Sequence, residues 1–181
     1  MKKYKLTEET KTLEDGTVLH RIRAVKDFAL RNDAKVREGD IGGWVEKEDN
    51  LSQIGEAWVF GEARVYGEAR VCDRACVFGE ARVCDDARVY GSARVSGEAC
   101  VCGEAYVCGI HDYAVFKNTW GSGRWFTYTR SDKMWKVGCF RGTGDELIAK
   151  AYKDSELSGR CYETIVRAQE AIEAAKEGLA K

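Results

Sequence analysis

Between Ala57 and Gly109 the chain repeats one phrase, Ala-x-Val-x-Gly-x, without an interruption. Valine stands at 59, 65, 71, 77, 83, 89, 95, 101 and 107, and alanine precedes each by two positions. A glycine follows each valine by two, except where Asp73 and Asp85 replace it. Such regularity comes before any other reading, because a fixed short period dictates a stacked architecture. A period of six matches neither a helix of 3.6 residues per turn nor a long hairpin strand. Within the unit, however, Ala-x-Val alternates with the two-residue period of a strand, so both side chains face one side. Glycine or aspartate then marks a bend that a β-branched residue resists. Three units form one three-sided coil, small Ala and Val fill its narrow interior, and successive coils hydrogen-bond about 4.8 Å apart. The sequence has no proline, which suits a body whose every strand must donate to a ladder.

This pattern resembles the hexapeptide repeat of left-handed parallel β-helix proteins. Valine takes the aliphatic position and alanine the small one. Glycine comes two places after the aliphatic residue, where many enzymes of that family put it one place after. The resemblance is close over residues 57–109 and extends upstream through "DIGGWVEKEDNLSQIG". It implies a mainly β fold, a left-handed parallel β-helix. It implies no single activity, because the family holds acyltransferases, carbonic anhydrases and structural proteins alike.

The flanks divide the chain into three parts. Residues 1–40 read as a β-hairpin cap, with "YKLTEETKTLEDGTVLHRIRAV" turning at Asp15-Gly16 and shielding the open edge of the solenoid. Residues 41–118 read as the β-helix, with "DIGGWVEKEDNLS" as an irregular first coil and "YAVF" (113–116) as a last strand. Residues 119–181 read as a ββαα appendage. Its strands are "RWFTYT" and "MWKVGCF". Thr143 and Glu146 are spaced as a capping box that opens the first helix. The last helix carries Tyr162, Ile165, Val166, Ala168, Ala171 and Ile172 largely on one stripe.

Three hexads, or eighteen residues, separate positions that stack on one outer face. One face stacks Trp58 and Phe60 on Cys76 and Phe78. Trp58, Phe60 and Phe78 are too apolar to be left in water: they are expected to form the contact of a homotrimer, the alternative being that the N- or C-terminal segment folds back over them. The second face stacks Arg64 on Arg82 beside Tyr66, and the third stacks Arg70 on Arg88 beside Tyr90. Stacked like charges repel unless carboxylates or an anion lie between them. Either the corner residues Glu62, Glu68, Glu80, Glu98 and Glu104 supply partners, or the arginine columns form half of a phosphate-gripping cleft between protomers, with tyrosine stacking on a base. Cys84, Cys100 and Cys102 point outward on the second face. Three thiolates could bind zinc, but no histidine or fourth cysteine of that face completes a tetrahedron. They are read as apolar filler, and no metal or cofactor is expected.

The appendage mixes basic and aromatic residues: either Trp125, Arg130 and Lys136 contact a nucleotide, or the tryptophans dock the appendage onto the β-helix and the lysines are solvated. Catalysis finds little support. A three-histidine zinc site is excluded by a total of two histidines, His20 and His111. An acyltransferase would have to use His111 as its general base. The net charge of −1 leaves no global field for duplex nucleic acid or a membrane. The first residues lack the apolar core of a signal peptide. The eight cysteines sit mostly at exchangeable repeat positions, and a cytoplasmic protein with free thiols is expected.

Taken whole, "EDGTVLHRI", "GDIGGWVEKEDNLSQIGEAWV", the hexads and the "WKVGCFRGT" tail resemble small proteins of Gram-positive bacteria and their phages, often labelled transferase or polymer-forming. By analogy with other phage proteins that sequester signals, this implies a non-enzymatic homotrimer. It would bind a phosphorylated small ligand, most simply a (cyclic) nucleotide immune signal, as an anti-defence protein. The alternatives are a coenzyme A-dependent acyltransferase and a structural or protein-binding scaffold.

Overall fold

The computed structural model describes residues 2–30 and 34–179. Nine two-residue strands, from Trp58–Val59 to Tyr106–Val107, coincide with the nine Ala-x-Val hexads. They stack in three parallel columns: Trp58–Val59, Cys76–Val77 and Arg94–Val95; Arg64–Val65, Arg82–Val83 and Cys100–Val101; and Arg70–Val71, Arg88–Val89 and Tyr106–Val107. All nine alanines and all nine valines have no exposed surface. The β-solenoid expected from the period is therefore present, and its core is the repeat itself.

Each of the eight bends between these nine strands is made by a residue with positive φ. Six are glycines, from Gly61 to Gly103, and two are Asp73 (φ 59°) and Asp85 (φ 58°). Aspartate tolerates this region through its short polar side chain. Here that side chain also bonds the next coil: the carboxylate of Asp73 accepts from the Gly91 N–H and that of Asp85 from the Gly103 N–H, each at 2.9 Å.

The first coil is irregular, as its sequence suggested. Ile41–Val45 joins the Arg64 column in parallel, with Trp44 opposite Arg64 and Val45 opposite Val65. Leu51 replaces valine, bridging to Val71. Gly42 and Gly43 are demanded by close approach: a Cβ on Gly42 would lie 2.5 Å from Ile22 and 2.7 Å from the Val59 carbonyl, and one on Gly43 would lie 2.5 Å from Val59 and 2.7 Å from the Ala63 carbonyl. The N-terminal hairpin, Tyr4–Thr12 and Val18–Ala24, turns at Gly16 (φ 88°) and its second strand pairs antiparallel to Ile41–Val45, so one six-stranded sheet runs from the hairpin through the irregular first coil and three regular ones.

The two ends of the solenoid present opposite polar groups, and the chain covers each in kind. Main-chain N–H groups of one coil point to carbonyls of the next, so the first edge exposes carbonyls. Donors meet them: Lys3 Nζ donates to the Ala57 carbonyl at 2.7 Å, and Asn50 Nδ2 to those of Gly67 and Ala69 at 3.0 and 2.9 Å. Burial pushes Lys3 down to about 8, with Lys26 adding repulsion. The last edge exposes N–H groups, and acceptors meet them. The Asp112 carboxylate takes the N–H groups of Cys108 and Gly109, and Ser131 Oγ takes that of Tyr106, all at 2.8 Å.

The chain forms two compact units, residues 1–114 with 129–132, and residues 115–128 with 133–181. The second unit contains the two expected strands, but its sheet is larger than ββ. The strand order is Tyr113–Lys117, Trp125–Thr129, Met134–Val137, Phe140–Gly142. "YAVF" thus belongs to this sheet rather than to a solenoid column, and Gly138 (φ 55°) folds "MWKVGCF" into two strands. Helix α1 (Gly144–Asp154) opens with the expected capping box: Thr143 Oγ1 accepts the Glu146 N–H at 3.3 Å and Glu146 accepts that of Thr143 at 2.8 Å. In helix α2 (Glu156–Leu179) the buried positions are Gly159, Tyr162, Val166 and Gln169. Ala168, Ala171 and Ile172, expected on the packed stripe, are exposed. No helix among the described residues is long and apolar enough to cross a membrane.

Candidate anion-binding cleft

Parallel in-register pairing places Arg64 directly opposite Arg82, one coil apart, and Trp44 opposite Arg64 on the other side. Tyr66 flanks them after Val65. Residues 11–15 of the hairpin overhang this column, and together Lys11, Thr12, Leu13, Glu14, Asp15, Arg64, Tyr66 and Arg82 line a cleft of ≈ 470 Å³. That volume lies in the range of small-molecule sites. The second wall is the chain's own hairpin, where the sequence suggested a neighbouring protomer.

The cleft's charges follow from who pairs with whom. Glu62, at a corner, accepts from Lys11 at 2.7 Å, Arg21 at 2.9 Å and Trp44 Nε1 at 3.2 Å. The Lys11 hydrogen bond first, then those of Arg21 and Trp44, hold its carboxyl down to about 2. Lys11 and Arg21 also lie over the Trp44 ring, 5.0 and 4.6 Å from its centre. Glu68 pairs with Lys47. Among the described residues, none of Glu62, Glu68, Glu80, Glu98 and Glu104 forms an ion pair with Arg64 or Arg82, so the corner glutamates do not neutralise this column. Arg64 Nε is enclosed without a hydrogen-bond partner. Glu14 and Asp15 at the hairpin tip are exposed to water. A guanidinium pair with no carboxylate ion-paired to it, in a cleft whose acidic residues Glu14 and Asp15 sit at the exposed hairpin tip, is an arrangement that an oxyanion satisfies with forked hydrogen bonds.

The comparisons agree with this architecture. Residues 81–97 match the family model described as YdcK Beta solenoid repeat. A relative from Escherichia coli (strain K12), named "Uncharacterized acetyltransferase YdcK", is 39% identical over 69 residues, which are 34% of this chain and 20% of that protein. The chain thus covers about one fifth of that relative's length. The repeat body is a β-solenoid built on a six-residue period.

On the solenoid's other faces the expected residues fare differently. Arg70 lines a separate groove of ≈ 400 Å³ together with Glu48 and Asp49, whose charges oppose a phosphate. Arg88 lies over the Tyr106 ring at 5.7 Å, and Tyr90 lines none of the clefts described here. Trp58, expected at a trimer contact, is 1% exposed: Tyr4 and Phe28 of the same chain cover it, ring centres 6.2 and 5.4 Å away. Phe60 and Phe78 stay half-buried, with Arg94 lying 5.0 Å over Phe78. His111 is exposed, and the Asp112 carboxylate beside it is turned to main-chain N–H groups, so the two form no dyad.

In the second unit the aromatics are mainly structural. Trp120, Phe126 and Tyr162 pack edge to face or tilted, with Phe126 and Tyr162 4.7 Å apart, and Trp135 lies between Phe116 and Tyr128. Trp125 is half-buried under Lys117 Nζ at 5.1 Å, and Lys136 is half-buried on its strand. Arg130 belongs to the segment that groups with the solenoid. A groove of ≈ 350 Å³ in this unit is lined by Arg124, Phe140, Lys150 and Tyr162 among others, and by neither Trp125 nor Lys136.

Beside the arginines, the three cysteines of the second face converge. The sulfurs of Cys84, Cys100 and Cys102 all lie within 4.8 Å of one another. Hydrogen bonds from Cys100 and Cys102, then burial, push the Cys84 thiol far up, and burial with Cys84 contact pushes Tyr66 up as well. The hexad register signals this grouping, because positions 84 and 102 are stacked and position 100 flanks Val101.

Proposed function

We propose that this solenoid binds a phosphorylated small molecule, a nucleotide fitting best, in the cleft between the Asp15–Gly16 hairpin and the Arg64–Arg82 column. The observation that carries the reading is the stacked pair Arg64 and Arg82, ion-paired with no carboxylate among the described residues and sharing one cleft with the hairpin tip. Two guanidinium forks take the phosphate, Lys11 adds a third cation at the rim, and Tyr66 offers a ring face to the base. Holding such a ligand without converting it is what a sequestering protein needs, and the homotrimer and anti-defence role belong to this same proposal.

The test is calorimetric titration of the intact protein with mono-, di- and cyclic nucleotides, using inorganic phosphate as the minimal probe. Binding that is lost in Arg64→Ala and Arg82→Ala, and retained in Arg70→Ala and Arg88→Ala, supports the cleft. Binding that survives in Arg64→Ala/Arg82→Ala, or no binding across the panel, overturns it.

A second reading draws on the acetyltransferase name of the Escherichia coli relative. Coenzyme A carries phosphates on a nucleotide, so the same arginines could hold an acyl donor, with the exposed His111 as base. Acetyl transfer from acetyl-coenzyme A that is abolished in His111→Ala would favour it over sequestration.

A further inference from the structure

We propose that Cys84, Cys100 and Cys102 form a three-thiolate site for a soft, thiophilic metal ion. Geometry alone defines this site, independently of any phosphate in the cleft. Val83 and Val101 are in-register partners of the parallel ladder, so Cys84 and Cys102, one residue on, occupy the same outward position of successive coils. Cys100 stands on the other side of Val101 and projects to the same outer face. The three sulfurs lie within 4.8 Å of one another. A metal–thiolate bond of about 2.3 Å places the three sulfurs of a trigonal complex roughly 4 Å apart, so rotation about the cysteine side-chain bonds closes the site without moving a strand.

The donor set selects the ion. Structural zinc takes four ligands, and among the described residues this group has three. Three thiolates with no nitrogen or oxygen partner suit soft ions that accept low coordination, such as cadmium(II) or copper(I). The surroundings suit the product. Three thiols and cadmium(II) give a cadmium tris-thiolate of charge −1 and three released protons. Arg82, the ladder partner of Cys100, supplies the opposite charge, and the Tyr66 hydroxyl contacts Cys84 from the coil above. Cys84 and Cys102 are buried at 5% and 4% exposure, whereas Cys100 is half-buried and gives the ion its way in. Among the described residues no cysteine is joined in a disulfide, so these sulfurs remain thiols.

The experiment titrates reduced, full-length protein with cadmium(II) under anaerobic conditions and follows the thiolate-to-cadmium charge-transfer absorption and the protons released. The expected result is one ion and three protons per chain. Cys84→Ser, Cys100→Ser and Cys102→Ser should each weaken binding by at least about tenfold, the lower bound for disturbing even a ligand's hydrogen-bond partner. Cys139→Ser and Cys161→Ser, in the other unit, should bind as the parent does. Circular dichroism checks each variant, and Cys100→Ser, the least buried, remains informative if a buried substitution unfolds the coil. No charge-transfer band at equimolar cadmium, or a band unchanged in Cys100→Ser, overturns the proposal and leaves the three thiols as packing.

Discussion

The carboxylate of Asp73 accepts a hydrogen bond from the main-chain N–H of Gly91, one full coil further along the chain, at 2.9 Å. Asp85 and Gly103 repeat the relationship. The two hexads that lack glycine therefore do more at their bends than turn: they tie one coil to the next along a corner.

Asp73→Ala removes this bond and leaves a residue with a Cβ and no polar compensation at φ 59°. The lost hydrogen bond and the left-handed conformation each cost about 1 kcal/mol. Asp73→Gly loses the bond but relieves the backbone, so it should be the milder change. Urea unfolding should rank the stabilities as parent, then glycine, then alanine.

Glu62 links the hairpin to the solenoid through Lys11, Arg21 and Trp44. Its carboxyl is held down to about 2 from 4.5. A depressed carboxylate contributes stability above its unfolded pKa and loses it as pH falls through the folded one. Relative to Glu62→Gln, the parent should lose its advantage between about pH 4.5 and 2. Because the group is exposed, high salt should shrink the difference. Thermal melts across pH and salt check both.

Lys3 gives a pH dependence of the same sign at the alkaline end. Its folded value, about 8, lies below the ordinary 10.5 because the ammonium is buried against the Ala57 carbonyl. Between these values the unfolded chain holds more protons, so stability rises with pH. Buried thiols and tyrosines are pushed up and act against this trend, so the comparison must be with Lys3→Met. The stability difference should move in favour of the parent from about pH 8 to 10.5. A flat difference would mean that Lys3 does not sit buried at the edge.

Gly43→Ala places a methyl 2.5 Å from Val59 and 2.7 Å from the Ala63 carbonyl. The main chain cannot yield as a side-chain end can, so a loss of about 1–3 kcal/mol is expected. Gly178→Ala, with open space around it, should cost nothing by the same measurement.

The repeat was legible because its physics is local. Ala and Val alternate with strand period, the bend residue repeats, and the interior admits one size class, so Ala57 to Val107 specify a buried core with no help from distant residues. The same is true of the Asp15–Gly16 turn and the Thr143 capping box. The columns Arg64–Arg82 and Cys84–Cys102 also follow from the eighteen-residue coil. What failed were inferences about covering. Trp58 looked like an oligomer contact because nothing in its own hexad hides it, and Ile172 looked packed because periodicity alone does not say where a helix outruns its neighbour.

By itself, then, the sequence determined the solenoid, its register and the residues that stack on each face, since a six-residue period leaves one way to bury alanine and valine. Tertiary structure decided which faces carry chemistry. The hairpin, remote in sequence, draws Glu62 to Lys11 and Arg21, overhangs Arg64 and Arg82, and turns one stacked pair into a cleft. Arg70 shares a groove with Glu48 and Asp49, and Arg88 lies over the Tyr106 ring. Four arginines with one local sequence context thus end in different surroundings. Partner choice depends on long-range packing, which no six-residue phrase encodes.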